Sequence, residues 1–344
     1  MLNRYLLVSS LLILVGLSAP MSAQDKDKAK DATGDKAADK AADKAAPSTG
    51  DKVELKWKFE KDKPFYQEMT TKTSQEMKVM GMDVKQQQEQ TFYFSWAFKE
   101  EDKDKNTVVV QRIEGVKLRI DIAGNPISFD STAPTTATNP LADFFKALVG
   151  TEFKLTLDKD MRVIKVDGRD AFVQKLTQAN QQMEGLLKKI LNEDALKQMA
   201  DPTFGIVPGR PVAKGDTWTR ESVINLGPIG SYKGVYKYTL EGFDEKNKDL
   251  AKIRIEMTLT YSPPTDPGEG LPFKIKEAKL TSKDAKGSAT FDIKKGRLEK
   301  SEQSLSLTGD LQIEIGGMAT KVELNQKQET TVTTSDTNPI KKPA

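Results

Sequence analysis

A two-residue rhythm of apolar and polar side chains recurs along most of this chain and limits what it can become. Val53, Leu55, Trp57 and Phe59 alternate with charged residues, and Phe92, Phe94, Trp96 and Phe98 repeat the pattern. Val116, Leu118, Ile120 and Ile122 follow it, as do Ile253, Ile255, Met257, Leu259 and Tyr261, with Arg254, Glu256, Thr258 and Thr260 between them. Successive side chains of a strand point to opposite faces, so each segment has one apolar face and one wet face. Such strands belong to antiparallel sheets that cover a core on one side, whereas the strands of a doubly wound parallel sheet read as continuous apolar runs.

Polar hairpins separate these segments. Glu100 to Asn106 and Asp244 to Asp249 are charged turns; Met80-Gly81-Met82, Lys294-Lys295-Gly296-Arg297 and Gly316-Gly317-Met318 are glycine turns. The middle of the chain changes period. Asn139 and Pro140 start a short helix that Gly150 ends, with Leu141, Phe144, Phe145, Leu148 and Val149 on one stripe. A second helix is expected from Asp170 to about Leu191, its apolar face formed by Phe172, Leu176, Ala179, Met183, Leu187 and Ile190. Asn192 or Asp194 caps a third that Asp201-Pro202 ends. The apolar side of the sheet is their natural burial partner. The expectation is an α+β fold: a large antiparallel sheet, twisted or barrel-like, of about a dozen strands, with two or three central helices packed on its apolar face.

Outside this region the composition shifts. Residues 1–23 read as a secretory signal peptide, with Arg4 before the apolar run Leu6–Leu17 and Ala23 before the cleavage point. The run is shorter than the 20 or so residues a bilayer needs, and no later segment is apolar enough to span one. Residues 24–50 repeat Asp, Lys and Ala, with six Lys balanced by six Asp, and read as a disordered spacer. Residues 333–344 read as a disordered tail. The β-rich domain is then 51–332, with two β halves, 51–167 and 212–332, flanking a helical insert at 139–201. GMDVKQQQEQT (81–91) can be laid on GMATKVELNQKQET (317–330), each a turn followed by a Gln-rich polar strand, which hints at duplication.

The chain contains no histidine and no cysteine. That excludes a Ser-His-Asp triad, a cysteine nucleophile, His/Cys zinc sites, disulfides and lipid attachment through cysteine. Within 51–332, 44 Lys and Arg face 43 Asp and Glu, without the basic excess of a nucleic-acid binder. Met77, Met80 and Met82 have spacings seen in Cu(I) carriers, though strand methionines are ordinarily packing. Asp102, Asp104 and Asn106 match the start of a calcium loop but lack its glycine and final glutamate. Gly227, Gly230 and Gly234 have the wrong spacing for a phosphate loop. Carboxylates are plentiful, yet nothing places two together in an apolar cleft. No catalytic residue, metal or cofactor is expected.

The most distinctive string is Gly205 to Trp218, GIVPGRPVAKGDTW. Pro208, Gly209 and Pro211 force an extended, turning backbone, and Gly215-Asp216 turns into a strand opened by Trp218. Trp218 reads either as core packing or as the wall of a ligand site. Pro211-Val212, Gly215-Asp216 and Trp218 resemble the Pro-Val-x-x-Gly-Asp-x-Trp stretch of a family of uncharacterised secreted bacterial β-rich proteins, a domain of unknown function. The resemblance spans most of 53–332 and, the family having no assigned activity, implies no site residues. More remotely, the pattern is similar to the half-barrels of periplasmic lipoprotein carriers.

Two functions fit this reading. One is a secreted or periplasmic, non-catalytic module that binds an apolar or amphipathic ligand, such as a lipid, between sheet and helices, using Phe92, Phe94, Trp96 and Trp218. The other is a structural or protein-interaction component of the cell envelope, its partner an envelope protein.

Overall fold

The computed structural model describes residues 51–133, 140–179, 181, 184–265, 271 and 273–340. The signal peptide, the spacer, the cap at Asn139 and Met183 lie outside them. Twelve strands form among the described residues: β1 Phe65–Val79, β2 Met82–Glu101, β3 Thr107–Ile122, β4 Asn125–Asp130, β5 Glu152–Leu157, β6 Val163–Asp167, β7 Thr217–Asn225, β8 Ser231–Phe243, β9 Leu250–Ser262, β10 Lys274–Asp292, β11 Arg297–Ile315 and β12 Met318–Ser335. All belong to one antiparallel sheet in the order β6-β5-β3-β2-β1-β12-β11-β10-β9-β8-β7. β5 pairs with the first half of β3 and β4 with the second. The first strand pairs with the last, without a register break from Tyr66↔Ser335 to Val79↔Val322, which joins both halves of the chain into one sheet.

Four helices lie between β4 and β7: α1 Pro140–Leu148, α2 Arg169–Ala179, α3 Glu184–Ile190 and α4 Glu193–Phe204. The long second helix expected from the 3.6-residue stripe is two helices, α2 and α3. Its stripe is still buried on both sides of the interruption, through Phe172 and Leu176 and then Leu187 and Ile190. Asn192 caps α4, its Oδ1 accepting from the Ala195 N–H. α4 runs past the expected stop at Asp201-Pro202 to Phe204, because the ring of Phe204 is anchored in the core.

The helices complete the sheet. β6 and β7 end the strand order, with β4 a short further edge beside the second half of β3, and α4 lies against both β6 and β7. Edge strands expose unpaired backbone groups that invite aggregation, and covering them with a helix removes that liability. Arg220 of β7 also reaches across the gap, donating from Nη2 to the Asp160 carbonyl in the β5–β6 turn at 2.8 Å. The barrel-like wall is thus sealed along one seam by side chains instead of ladder hydrogen bonds.

An aromatic cluster ties residues 53–59 to the end of α4 at this seam. Phe204, fully buried, meets the rings of Trp96 at 5.2 Å and Trp57 at 5.4 Å, both edge-on. Trp57 in turn stacks on Phe59 and Phe65 and meets Phe291 edge-on. The segment Val53 to Phe59 alternates buried and exposed as expected. It is not a paired strand, however, and makes only one bridge, Val53↔Val212. Its apolar side chains are satisfied by the cluster, so a full ladder partner is not needed to hold it.

The tail begins later than its composition suggests. Thr333 to Ser335 remain in β12, and Asp336 binds Arg297 at 2.7 Å and Lys295 at 3.0 Å. Arg297 is buried over the Phe65 ring, so a carboxylate beside it relieves a desolvated charge. These hydrogen bonds, from Arg297 first and then Lys295, hold the Asp336 carboxyl below its ordinary value.

Close strand approach accounts for one glycine. At Gly309, φ is +150° and a Cβ would stand 1.9 Å from the Lys279 carbonyl oxygen on β10. Gly81 also has positive φ, +80°, but open space around it. Gly81→Ala is expected to carry only backbone strain of roughly 1–3 kcal/mol, and Gly309→Ala distinctly more because β10 must also move. Denaturant unfolding of the two variants measures the difference, and equal losses would refute the close approach.

Because the folded-state pKa of Asp336 is depressed, its contribution is present above the unfolded value of 3.8 and lost as pH falls through the lower folded value. With Asp336 two-thirds exposed, the contribution is screened to about 1 kcal/mol or less. Asp336→Asn should lower the melting temperature slightly at neutral pH and not at all well below pH 3. A deficit that persists in acid would show that the ion pair is not the cause.

Candidate functional site

The residues expected to line a site are found, and most are packed. Phe92 and Phe94 stack at 5.7 Å on β2. Trp96 is 1% exposed and donates its indole N–H to Gln67 Oε1 at 2.8 Å. Trp218 on β7 stacks on Tyr238 and donates to the Ile206 carbonyl at 3.1 Å, while Trp57 donates to the Phe204 carbonyl. Trp96 on β2, inside the strand order, and Trp218 on the terminal strand β7 therefore meet the same short segment, Phe204 to Ile206. Trp218 also closes the distinctive string on itself. In that string Val212 bridges Val53, Asp216 Oδ2 accepts from the Ala213 N–H, and the Gly215 N–H reaches the Leu240 carbonyl. These are structural roles. Phe94, half-buried, is the least enclosed of the four.

The other constellations resolve into turns. The Asp102 carboxylate accepts from the backbone N–H groups of Asp104 and Asn106 and from the Asn106 side chain, which shapes the β2–β3 hairpin. Met77 is buried, while Met80 and Met82 stand exposed at the hairpin tip, so the three thioethers do not converge. Among the described residues no group of three or more Asp or Glu side chains is arranged to hold a metal ion.

A polar band on the inner face of β1, β2, β12 and β11 was not expected. Tracing back from Trp96 two residues at a time gives Phe94, Phe92, Gln90, Gln88 and Gln86, all on one face. Register places Gln86 opposite Gln75, Gln88 opposite Thr73, and Gln90 opposite Thr71 on β1. On the other side of β1, Gln75 faces Gln326, Thr73 faces Gln328 and Thr71 faces Thr330 of β12. Gln303 of β11 extends the band beside Thr330. Apolar side chains bound it above and below. Met69, Phe92 and the aromatic cluster lie toward one end, Met77, Val79, Val322 and Leu324 toward the other, and Ile120 and Ile122 of β3 stand level with the glutamines, opposite Gln88 and Gln86. The interior is stratified into aromatic, amide and aliphatic layers.

Parts of this band bond internally. Gln88 Nε2 donates to Gln90 Oε1 at 3.1 Å, Gln75 Nε2 donates to the Met77 sulfur, and the Thr71 and Thr330 hydroxyls are 3.2 Å apart. Other atoms have no protein partner: Gln75 Oε1, both polar atoms of Gln86 and Gln88 Oε1. Gln75 and Gln86 are each 1% exposed. A buried polar group without a hydrogen bond costs about 1–3 kcal/mol, so such clusters mark strain or function. The band carries no charged residue. The buried charges among the described residues, Asp292 and Arg297, belong to the β10–β11 turn.

The glutamines are legible in the sequence as a Gln-rich polar strand, without the face they take. Their phase with Phe92, Phe94 and Trp96 was the signal that they turn inward.

An antiparallel, barrel-like sheet closed by helices and enclosing a polar layer defines the architecture. The sequence model of DUF6263, a family of unknown function, matches residues 104–338, and the chain belongs to that family. No curated protein matches it. Among solved structures, similarity is found to OccK5 (OpdH) of Pseudomonas aeruginosa, with 6% identity, coverage of 80% of this chain and 98% of that one, and a TM-score of 0.21. OccK11 (OpdR) of the same organism gives 7% identity, 82% and 98% coverage, and a TM-score of 0.19. No helix among the described residues is long and apolar enough to cross a membrane.

Gln86→Leu replaces two unpartnered buried atoms with hydrocarbon of similar length and is expected to raise unfolding free energy by roughly 1–3 kcal/mol. Chemical denaturation measures it. A loss of stability would mean that the amide is satisfied in solution by ordered water.

Proposed function

We propose that the protein is an exported, non-catalytic binding module that takes an amphipathic ligand into the interior of its sheet. The observation that carries this reading is the buried band of unpartnered amides at Gln75, Gln86 and Gln88, enclosed between apolar layers. A wholly apolar interior would be more stable, and a purely structural core has no use for polar atoms that nothing in the fold satisfies. An amphiphile would meet the amides with its polar part and the flanking layer of Met77, Val79, Val322 and Leu324 with its chain. The ligand expected from the sequence is thereby relocated. On the aromatic face of β2, Trp96 is covered by Phe204, so the amide band farther along the same face becomes the place of contact.

Entry along the β6–β7 seam would break side-chain contacts of α4 and the Arg220 bond without opening any ladder, which gives the helices the role of a lid. Residues 1–23 supply the motive for placing the module outside the cytoplasm, in the periplasm or beyond. The alternative, a structural or interaction component of the envelope, is favoured by the exposed Met80, Met82, Ile127 and Met318 at hairpin turns on one end of the sheet.

The chain has no native cysteine, so Gln198→Cys on α4 with Ser222→Cys on β7 makes a clean pair for a short bifunctional thiol reagent; their side chains are hydrogen-bonded in the native protein. Uptake of single-chain amphiphiles, followed by native mass spectrometry and tryptophan fluorescence, is expected in the uncross-linked chain and should slow about tenfold or more once the lid is bridged. If no amphiphile is retained by the uncross-linked chain, the binding reading fails and the envelope-component reading takes its place.

A further inference from the structure

We infer that the polar part of the ligand is neutral and hydroxyl-bearing, a glycerol or sugar head and not a carboxylate, phosphate or ammonium. This rests on the amphiphile-binding reading and specifies its chemistry. The unpartnered atoms are three carbonyl acceptors, on Gln75, Gln86 and Gln88, and one amide donor, on Gln86. An ionised carboxylate or phosphate brings acceptors only. It would face three further acceptors, with no lysine or arginine in the band to offset its desolvation. An ammonium group would find acceptors but no counter-charge, and burying it unpaired is equally unfavourable. A hydroxyl both donates and accepts. Two or three on adjacent carbons match a surplus of acceptors with a single donor.

The surroundings point the same way. Thr73, buried opposite Gln88, adds a hydroxyl, and Thr71 and Thr330 bond each other beside Gln90. Rejection of charge would come from the same atoms that give recognition, because a site built of neutral hydrogen-bonding groups discriminates strongly against a partner that leaves them unpaired. The aliphatic layer next to the amides gives an acyl chain its contact.

The full chain is titrated with a monoacylglycerol and with the fatty acid of the same chain length at a pH where the acid is ionised, both below their aggregation concentrations. Stoichiometry is read by native mass spectrometry and affinity by tryptophan fluorescence. The glycerol-headed ligand is expected to bind one to one and about tenfold or more tighter than the ionised acid. Gln86→Leu should erase that preference while leaving the acid's affinity unchanged, the loss expected when buried hydrogen-bonding atoms are removed. Gln86→Met, closer in shape, guards against a variant that fails to fold. Equal or tighter binding of the ionised acid, or a preference that survives in both variants, overturns the inference and leaves the amphiphile reading standing. If neither ligand binds, both fall together.

Discussion

Pairing between the first and last strands is the contact on which the rest of the structure depends. β1 and β12 run together without a register break, and through them strands from the two ends of the chain become neighbours in one sheet. Every backbone donor and acceptor along that junction is satisfied by a residue far away in sequence, at a high entropic cost of closure. The Arg297–Asp336 pair and the aromatic cluster around Trp57 and Phe65, which meet where Arg297 lies over the Phe65 ring, reinforce the same junction. Without it the sheet would divide into two, each with one more free edge.

The two ends of the strand order explain the helices. A sheet of this length curls, and its terminal strands β6 and β7 approach without pairing. α4 fills the gap, and Phe204 locks it by entering the cluster between Trp57 and Trp96. Since this seal is made of side chains, it is the part of the wall that can open at least cost to the backbone hydrogen bonds.

The interior departs from the rule that cores are apolar. Gln75, Gln86 and Gln88 sit between hydrophobic layers with polar atoms that no neighbour satisfies, and a fold that keeps such atoms gives up stability at that place. Trp96 and Trp218, which look like a binding surface in the sequence, are packed. With Trp57 they are buried with every indole N–H bonded, and they meet the segment Phe204 to Ile206 at the end of α4.

Alternation alone was enough to establish the antiparallel sheet, most of its hairpins and the apolar stripes of the helices, since a period of two or 3.6 is a local property that backbone geometry imposes. Asp102, Gly81, Gly296 and Gly317 marked turns for equally local reasons. Three things were decided only by tertiary structure. The pairing of β1 with β12 and the seam at β6 and β7 depend on which edges meet, and no short stretch of sequence carries that information. The extension of α4 to Phe204 follows from the seat of that ring in the core, which overrides the stop signal at Pro202. The inward turn of the glutamines depends on which side of a curled sheet becomes the interior. A polar side chain reads as surface until the neighbouring strands close over it.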